Sequence, residues 1–462
     1  MAAGDLVATT GNISSLSELI KVKYGKAIPH LFSNMSPFSA LMKGKKNFSK
    51  TNGGRQLEFP YKVKRGENAG VRTRGDYLPG FGGNSLDSLD TMTAETAVVN
   101  RARIYSGFAL DGEWLDKPNK EFMFNAGDRL AEHITDTLED LNRELIGVHL
   151  MGDGTGYLGR VNGTVSASTT ITLHPASTVD SRGRTGNMLF RPNQLLMVVP
   201  AAHWSTSARA SQADSDEVFK VSAVSAIGDV GSTPTITSTA AVTLADGDVI
   251  VPFGSRTSTS GGSGSGATLY NFNGLFEMID DGTLNSSLYG LSRTTFSALK
   301  SPVDLASSAR PTTWRLAQSL YNKLLRRAPR EKIAKLTMVS EFGVQSAFVN
   351  DDANPLKQYI QGDKALKHLA GFDDVSVVFL GGNKPMPWIT DRDVPYGHLL
   401  MLDLDDIHAM WDRPIGVIDE DGLDLRMTQG KDEYHMLFGG RGNFMMEEPM
   451  HAARASALES AF

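Results

Sequence analysis

Cysteine is absent from all 462 residues of the sequence. Its absence excludes disulfide bonds, thiolate zinc sites, iron–sulfur clusters and cysteine nucleophiles. The chain must therefore gain any stability beyond that of its own hydrophobic core from packing or from partner chains.

Long hydrophobic runs are also missing. No apolar segment reaches the length of a transmembrane helix, and the first residues, MAAGDLVATTGN, lack the charged and apolar regions of a signal peptide. We therefore expect a soluble protein that is made in a cytoplasm and has no membrane partner. Hydrophobic residues make up 40% and charged residues 21% of the chain, a balance typical of globular proteins.

Motifs for catalysis and for metal binding are scarce. The ten histidines are scattered and form no HExxH pattern. Ser297 and Lys300 match the S-x-x-K pattern, but its S-D-N and K-T-G partners are absent. The carboxylates of 391–394 and 403–408 could hold Mg²⁺ or Ca²⁺, yet they lack EF-hand spacing and are typical of turns at strand ends. We predict a protein that is not an enzyme and has no catalytic residue, cofactor or metal site.

One motif points to a nucleotide. The stretch GDGTGYLG, residues 152–159, has the G-x-G-x-x-G spacing of a loop that binds a dinucleotide pyrophosphate. Such a loop follows a buried strand and opens a helix, whereas these glycines follow a helical pattern and lead into a strand-like one. We predict instead that Gly152 and Gly154 form the C-cap of that helix with positive φ angles. A nucleotide-dependent enzyme remains the alternative from a different functional class.

The beginning of the chain is basic. Residues 1–50 hold seven lysines against two carboxylates, although the whole chain has a formal net charge of −6. Their helical patterns are too short to be stable alone in water. The segment is typical of an arm that lies on an acidic surface, or alternatively of a solvated tail.

The next segment has too few large apolar residues for an independent domain. Two strand-like stretches, RQLEFPYKV and TAVVNRARIYSGFAL, flank about thirty residues rich in glycine and charge. We predict a projecting β-hairpin that is stabilised by another molecule. The residues expected to form inter-subunit ion pairs there are Arg65, Glu67, Arg72, Arg74, Asp76 and Arg101.

A long helix, a β-rich segment and a mixed segment follow. The helix is predicted from Lys120 to Leu150, because apolar residues recur in steps of three and four: Leu130, Ile134, Leu138, Leu141, Leu145 and Val148. Residues 158–272 contain short strand patterns and tight-turn sequences that favour a small β-barrel or sandwich. The remainder mixes helical and strand patterns, which indicates an α/β or α+β core.

The order of these segments resembles the major capsid proteins of tailed bacteriophages with the HK97 fold. The resemblance rests on FNAGDRLAEHITDTLEDLNRELIGVHLMGDGTGYLGRVNG, on NGLFEMID and on YGLSRTTFSALKSPV. It implies an α+β, HK97-like capsid fold with an inserted small β domain. The implied segments are an N-terminal arm (1–53), an extended β-hairpin loop (54–116), the spine helix of a peripheral domain (117–157), an inserted β-rich segment in an axial domain (158–272), the axial domain core (273–425) and C-terminal strands that return to the peripheral domain (426–462).

The resemblance also implies a function and partners. Copies of the chain would form pentamers and hexamers of an icosahedral virion shell, assembled in the cytoplasm of a bacterial host. The implied partners are a portal protein, separate scaffold and decoration proteins, and double-stranded DNA that is packaged without sequence specificity. Two structural alternatives are an encapsulin-like protein compartment and a tail or baseplate protein.

Overall fold

The computed structural model describes residues 48–49, 56–64, 93–111, 133–141, 143–178, 180, 185–201, 218–225, 233–253, 272–350, 375–377, 379, 385–418, 425–427, 431 and 433–460. The strands are β1 (Phe48–Ser49), β2 (Gln56–Lys64), β3 (Thr93–Asn100), β4 (Ala102–Asp111), β5 (Gly159–Arg160), β6 (Val165–Thr172), β7 (Leu195–Val199), β8 (Val218–Val224), β9 (Thr235–Leu244), β10 (Val249–Pro252), β11 (Ser287–Leu288), β12 (Leu291–Ser292), β13 (Val303–Asp304), β14 (Thr337–Ser340), β15 (Val375–Val377), β16 (Met386–Thr390), β17 (Leu399–Leu402), β18 (Ile407–Val417), β19 (Leu425–Met427), β20 (Glu433–Met446) and β21 (Ala453–Ala455).

The helices are fewer and mostly short. They are the helical residues 133–141, a π-helix (Arg143–Leu150), α1 (Leu275–Met278), α2 (Trp314–Leu325), α3 (Arg330–Ile333), α4 (Phe342–Asn350) and the 3₁₀ turns Ser297–Leu299, Leu404–Asp406 and Pro449–His451. The fold class is therefore α+β, as the sequence predicted. No helix within the described ranges is long and apolar enough to cross a membrane.

The long sheet, made of β1, β4, β18, β19 and β20, contains the longest strand. β20 runs antiparallel to β18 on one side and to β4 on the other, and β1 adds in parallel to β18. Along β4 the buried Ala102 and Ile104 alternate with the exposed Arg103 and Tyr105. This alternation shows that the sheet packs one face on the core and presents the other to solvent.

The spine, defined as the helical residues 133–141 and the π-helix, covers the core face of the long sheet. The predicted apolar stripe is confirmed where it is described: Ile134, Leu138, Leu141 and Leu145 are buried in one cluster with residues of β4 and β20. The predicted positions 120–132 lie outside the described residues. The helix ends at Leu150, as predicted, and its last turn is wider than an α-turn because the amide of Met151 donates to the carbonyl of Ile146, five residues back.

The β-rich segment folds into a small antiparallel barrel. Its strand order is β5-β10-β7-β8-β9-β6, and a bridge between Val161 and Leu173 joins the first strand to the last. Apolar residues from alternate positions, among them Leu196, Phe219 and Ile236, fill the interior. The barrel lies wholly within residues 158–272 and matches the predicted β-barrel or sandwich.

A third sheet, called here the mixed sheet, has the order β13-β21-β17-β14-β16-β15 with parallel and antiparallel pairs. Helix α2 packs on it, and its apolar face buries Trp314, Leu320 and Leu324. The side chain of Thr313 caps the helix by accepting the amide of Leu316.

Strands from two of the predicted segments share the long sheet. The segment 273–425 contributes β18, which pairs antiparallel with β20 of the segment 426–462. Beyond Met446 the chain leaves the long sheet, and β21 joins the mixed sheet between β13 and β17. The division of these segments into axial and peripheral domains stays a prediction.

Three fully buried charged side chains, Asp280, Arg293 and Arg454, form a cluster between the end of the spine, α1 and β21. Arg293 is wholly buried and donates hydrogen bonds to the carbonyls of Asn285 (2.8 Å) and Leu299 (3.0 Å). Asp280 accepts the amides of Gly282, Leu284 and Asn285 and lies 3.5 Å from Arg293. Arg454 lies over the ring of Phe276, and burial lowers its pKa to about 10 against the opposing effect of Asp280. Each charge therefore has polar or aromatic partners, as buried charges require.

Candidate assembly interface

The hairpin formed by β2 and β3 is anchored at its root and extends away from the core. The strands pair antiparallel from Gln56 opposite Asn100 to Lys64 opposite Thr93. Near the root, Ala97 and Val99 are fully buried in the same core cluster as the spine. The root is thus part of the subunit core, whereas residues 94–96, farther along β3 from the root, are exposed.

Most of the predicted contact residues lie in the sequence between β2 and β3. Arg65, Glu67, Arg72, Arg74 and Asp76 lie outside the described residues. Arg101 is described, and its Nη1 atom donates to Asp412 Oδ2 of the same chain at 2.8 Å. This ion pair fixes the corner between β3 and β4 to β18, so an inter-subunit role for Arg101 stays a prediction.

The solvent face of the long sheet carries a row of three arginines. Arg103 of β4 lies directly opposite Arg441 of β20, which in turn lies opposite Arg413 of β18. Like charges placed directly opposite each other destabilise a sheet. Arg413 and Arg441 are half-buried, and Arg413 Nη2 donates to the carbonyl of Val417 at 3.1 Å, so part of the row is held by its own chain.

Aromatic and aliphatic side chains lie beside the arginine row. Tyr105 is 54% exposed and Leu437 is 37% exposed. The ring of Tyr105 packs over Gly439, and the side chain of Leu437 packs over Gly107. Both contacts are close, since a Cβ built at Gly439 would lie 2.7 Å from Tyr105 and one built at Gly107 would lie 2.9 Å from Leu437. This face thus combines three arginines with one tyrosine, and both are residue types that are enriched where proteins associate.

A charged seam joins α3 to the ends of β18 and β20. Lys332 Nζ lies 2.5 Å from Asp406 Oδ1 and 3.0 Å from Glu448 Oε2. His451 Nδ1 lies 2.8 Å from the same Glu448 oxygen. Burial alone would lower the pKa of Lys332, but its hydrogen bonds to both carboxylates raise it well above its ordinary value.

The seam also has the donor set of a cation site. Asp406, Glu448 and His451 each offer a ligand atom, and these atoms lie within 4.8 Å of one another. The ammonium group of Lys332 already supplies the positive charge between the two carboxylates. Among the described residues, the seam therefore functions as an internal ion-pair network, and Asp406, from the predicted 403–408 turn, has a structural partner.

Tyr61 of the hairpin lies within electrostatic reach of this seam. Burial raises the pKa of Tyr61 of β2, and the nearby charges of Glu448, Glu447 and Asp406 raise it further. Burial therefore keeps Tyr61 neutral beside the carboxylates. Tyr61 and the seam consequently lie near each other in the subunit.

The glycine loop that suggested a nucleotide site is a packing joint. Residues 151–159 are all buried. A Cβ at Gly274 would lie 2.2 Å from the carbonyl oxygen of Gly152 and 2.3 Å from the amide nitrogen of Gly154. The loop backbone is therefore in direct contact with protein where a pyrophosphate would have to bind.

The two predicted capping glycines differ in conformation. Gly154 has φ +74°, in the left-handed region. Gly152 lies outside that region, and any side chain there would meet the carbonyl oxygen of Val148, 2.7 Å from a built Cβ. Glycine is thus required at position 152 because the backbone there passes close to the carbonyl of Val148. The spacing of the motif does not predict this contact.

Sequence comparison finds no relatives: no family model matches, and no curated protein matches. Among solved structures, a capsid chain of cyanophage A-1(L) has a TM-score of 0.45 and 10% identity, with 89% of each chain covered. A capsid chain of a native GTA particle has a TM-score of 0.42 and 5% identity, with 90% of each chain covered. A mature capsid chain of bacteriophage PhiM1 has a TM-score of 0.39 and 7% identity, covering 90% of this chain and 86% of that chain. Similarities of this size do not assign a function, so the function is inferred from the chain's own residues.

Proposed function

We propose that the chain is the major capsid protein of a tailed bacteriophage, with the HK97-like fold that its sequence resembles. Copies would associate into pentamers and hexamers of an icosahedral shell around double-stranded DNA. The observation that carries the proposal is a two-stranded hairpin that pairs with no other strand of the described residues, with Ala97 and Val99 buried in the core and residues 94–96 of β3 exposed. An isolated two-stranded ribbon is at best marginally stable in water, so its exposed part needs a surface supplied by another molecule.

The same chain offers a suitable surface. The solvent face with Arg103, Tyr105 and Leu437 belongs to the long sheet, whose other face packs on the spine. The hairpin segment 75–92 contains three aspartates, no basic residue and several large apolar side chains. Opposite charges and matching apolar groups on one chain allow identical copies to bind one another repeatedly.

The remaining partners follow from a shell that encloses DNA. The chain is acidic overall, with a formal net charge of −6, which limits adhesion of the polyanion to the protein during packaging. We propose a portal protein, scaffold and decoration proteins as further partners, and the host cytoplasm as the site of assembly. The basic residues 1–50 would serve as an arm that lies on an acidic surface of the shell.

Electron microscopy of the purified full-length chain tests the proposal. We expect closed, icosahedral particles. Tubes or open rings would support a tail or baseplate protein instead, and small closed particles that carry enzymes in place of DNA would support an encapsulin-like compartment.

A ligand screen addresses the enzyme alternative. Because the glycine loop is packed against Gly274, NAD, ATP and GTP should leave the melting temperature unchanged. A reproducible increase with any of the three, saturating with concentration, would contradict a purely structural role.

A further inference from the structure

A strained residue lies at the root of the hairpin. Strands β11 and β12 are joined by the two-residue turn Tyr289-Gly290, in which φ is +53° and +79°. A turn with positive φ at both central positions favours Asn-Gly. A bulky aromatic residue in the left-handed region is an outlier that persists only where surrounding contacts stabilise it.

Those contacts come from three different strands. The carbonyl of Tyr289 accepts the amide of Val98 in β3 at 2.9 Å. Its ring packs edge-on against the ring of Phe59 in β2, with 5.8 Å between centroids. Its hydroxyl accepts the amide of Met446, at the end of β20, at 2.7 Å. Both strands of the hairpin are thus joined to the long sheet through a single side chain and its carbonyl.

The hydrogen bond from Val98 to Tyr289 points away from the β2–β3 ladder. In the β2–β3 ladder Val98 lies opposite Glu58, while its amide donates outward to the turn. The Val98 amide therefore reports on how the hairpin is seated against the core, independently of whether the two strands remain paired. Tyr289 itself is 6% exposed, so its position is determined by protein contacts.

We propose that Tyr289 is a positioning residue that fixes the direction in which the hairpin projects from the subunit. Asparagine or glycine at this position would relieve the backbone strain but would lose the ring and the hydroxyl. The strain is stabilised only while Phe59, Val98 and Met446 are in place, so the turn and the hairpin root move together. Loss of these contacts would leave an intact hairpin free to pivot about its root.

The consequence for shell assembly rests on the proposed function, whereas the positioning itself is a property of one subunit. A hairpin that pivots would reach the neighbouring subunit at a variable position. Particles built from such subunits should be irregular, although each subunit would be folded.

Spin labels can measure the hairpin direction, because the chain has no cysteine of its own. Labels are placed at the exposed positions Ala94 of β3 and Glu331 of α3 by the substitutions Ala94→Cys and Glu331→Cys. Labelled full-length chain is diluted into excess unlabelled chain, so that only distances within one chain are read. The otherwise native chain should give one narrow distance distribution.

Three variants separate the contributions of Tyr289. Tyr289→Asn should broaden the distribution and speed amide exchange at Val98 by about tenfold, with an unchanged circular dichroism spectrum. Tyr289→Phe keeps the ring against Phe59 and should restore most of the narrow distribution. Phe59→Ala leaves the turn unaltered and should reproduce the broadening, which keeps the test decisive if the asparagine variant does not fold.

The matched control is Phe253→Asn, a change from an aromatic residue to asparagine at a 55% exposed position directly after β10, outside the proposed assembly surface. It should leave the distribution unchanged. If folded Tyr289→Asn and Phe59→Ala chains both keep the narrow distribution, the positioning role is wrong. If the distribution broadens but no chain forms shells, Tyr289 positions the hairpin and the proposed capsid function is wrong.

Discussion

At the scale of single residues, Glu341 couples the C-terminal segment to pH. Burial raises the pKa of its carboxyl to about 7, and hydrogen bonds from Ser460 and from the backbone of Gly397 only partly oppose this. The C-terminal segment is held nearby, since the amide of Leu458 donates to the carbonyl of Gly397 at 2.9 Å. Ionisation of Glu341 therefore acts on the packing of the chain end.

The direction of the pH effect follows from proton linkage. The folded chain binds the Glu341 proton more tightly than the unfolded chain, in which the carboxyl has its ordinary pKa of 4.5. The free energy of unfolding should fall as pH rises from about 4.5 through about 7, by about 3 kcal/mol in total for this group. Urea unfolding at pH 5 and at pH 8 measures the difference.

Glu341→Gln is the control for this assignment, because the amide cannot ionise. Its free energy of unfolding should vary less with pH across the same interval. An equally steep decrease in the glutamine variant would assign the pH dependence to other carboxyl groups whose pKa burial raises, such as those of Asp140 and Asp406.

The structural roles of some single residues could be predicted from the sequence, and those of others could not. Gly154 was predictable, because a glycine after a long helix is typical of a left-handed turn. Arg293 and Tyr289 were not, since their roles depend on carbonyls and rings that only the folded chain brings together. No spacing in the sequence marks a buried arginine whose acceptors are backbone carbonyls.

At the scale of elements, the contact between the glycine loop and Gly274 determines how the spine meets α1. Gly274→Ala would place its Cβ 2.2 Å from the Gly152 oxygen, a backbone atom that cannot move without displacing the loop. We expect a loss of about 3 kcal/mol in the free energy of unfolding. Gly416→Ala is the matched control, since a Cβ at that position meets no atom within 4 Å.

Both alanine variants are compared by urea denaturation. Gly416→Ala should change the free energy of unfolding by no more than about 0.5 kcal/mol. Equal stability of the two variants would show that the spine and α1 are less closely packed than this contact requires.

The hairpin is the second element whose removal is informative. Replacement of residues 65–92 by Asn-Gly joins β2 to β3 with a tight turn and keeps the buried root, including Ala97 and Val99. We expect an unchanged circular dichroism spectrum and melting temperature, and no closed particles in electron micrographs.

The deletion also has two outcomes that would contradict the proposed role of the hairpin in assembly. Loss of the subunit fold on deletion would show that residues 65–92 stabilise their own chain and not a neighbour. Normal closed particles would show that assembly uses another surface.

Some helices and sheets could be predicted from the sequence more readily than others. The spine stripe and the small barrel follow from periods of 3.6 and 2 residues in the sequence, which depend on local burial. The mixed sheet was harder, since β21 pairs in parallel with β13, from which it is separated by about 150 residues. Pairing over such a distance leaves no local pattern, so the place of β21 in the mixed sheet could not be predicted from the sequence.

At the scale of the whole molecule, the described residues combine packed cores with a separate two-stranded hairpin. The long sheet, spine, barrel and mixed sheet each bury a core of their own or share one. Under the proposed function, the hairpin and the solvent face beside Arg103 are the regions expected to contact a neighbouring copy. The order of segments was predictable from the sequence, whereas the solvent face required the register of β4 on β20.

Sedimentation velocity of the purified full-length chain tests self-assembly most directly. We predict a fast, homogeneous boundary from particles of many copies, and a slow subunit boundary for the chain that lacks residues 65–92. A full-length chain that sediments as a 49.9 kDa monomer at high concentration, under conditions that preserve its fold, would contradict the account.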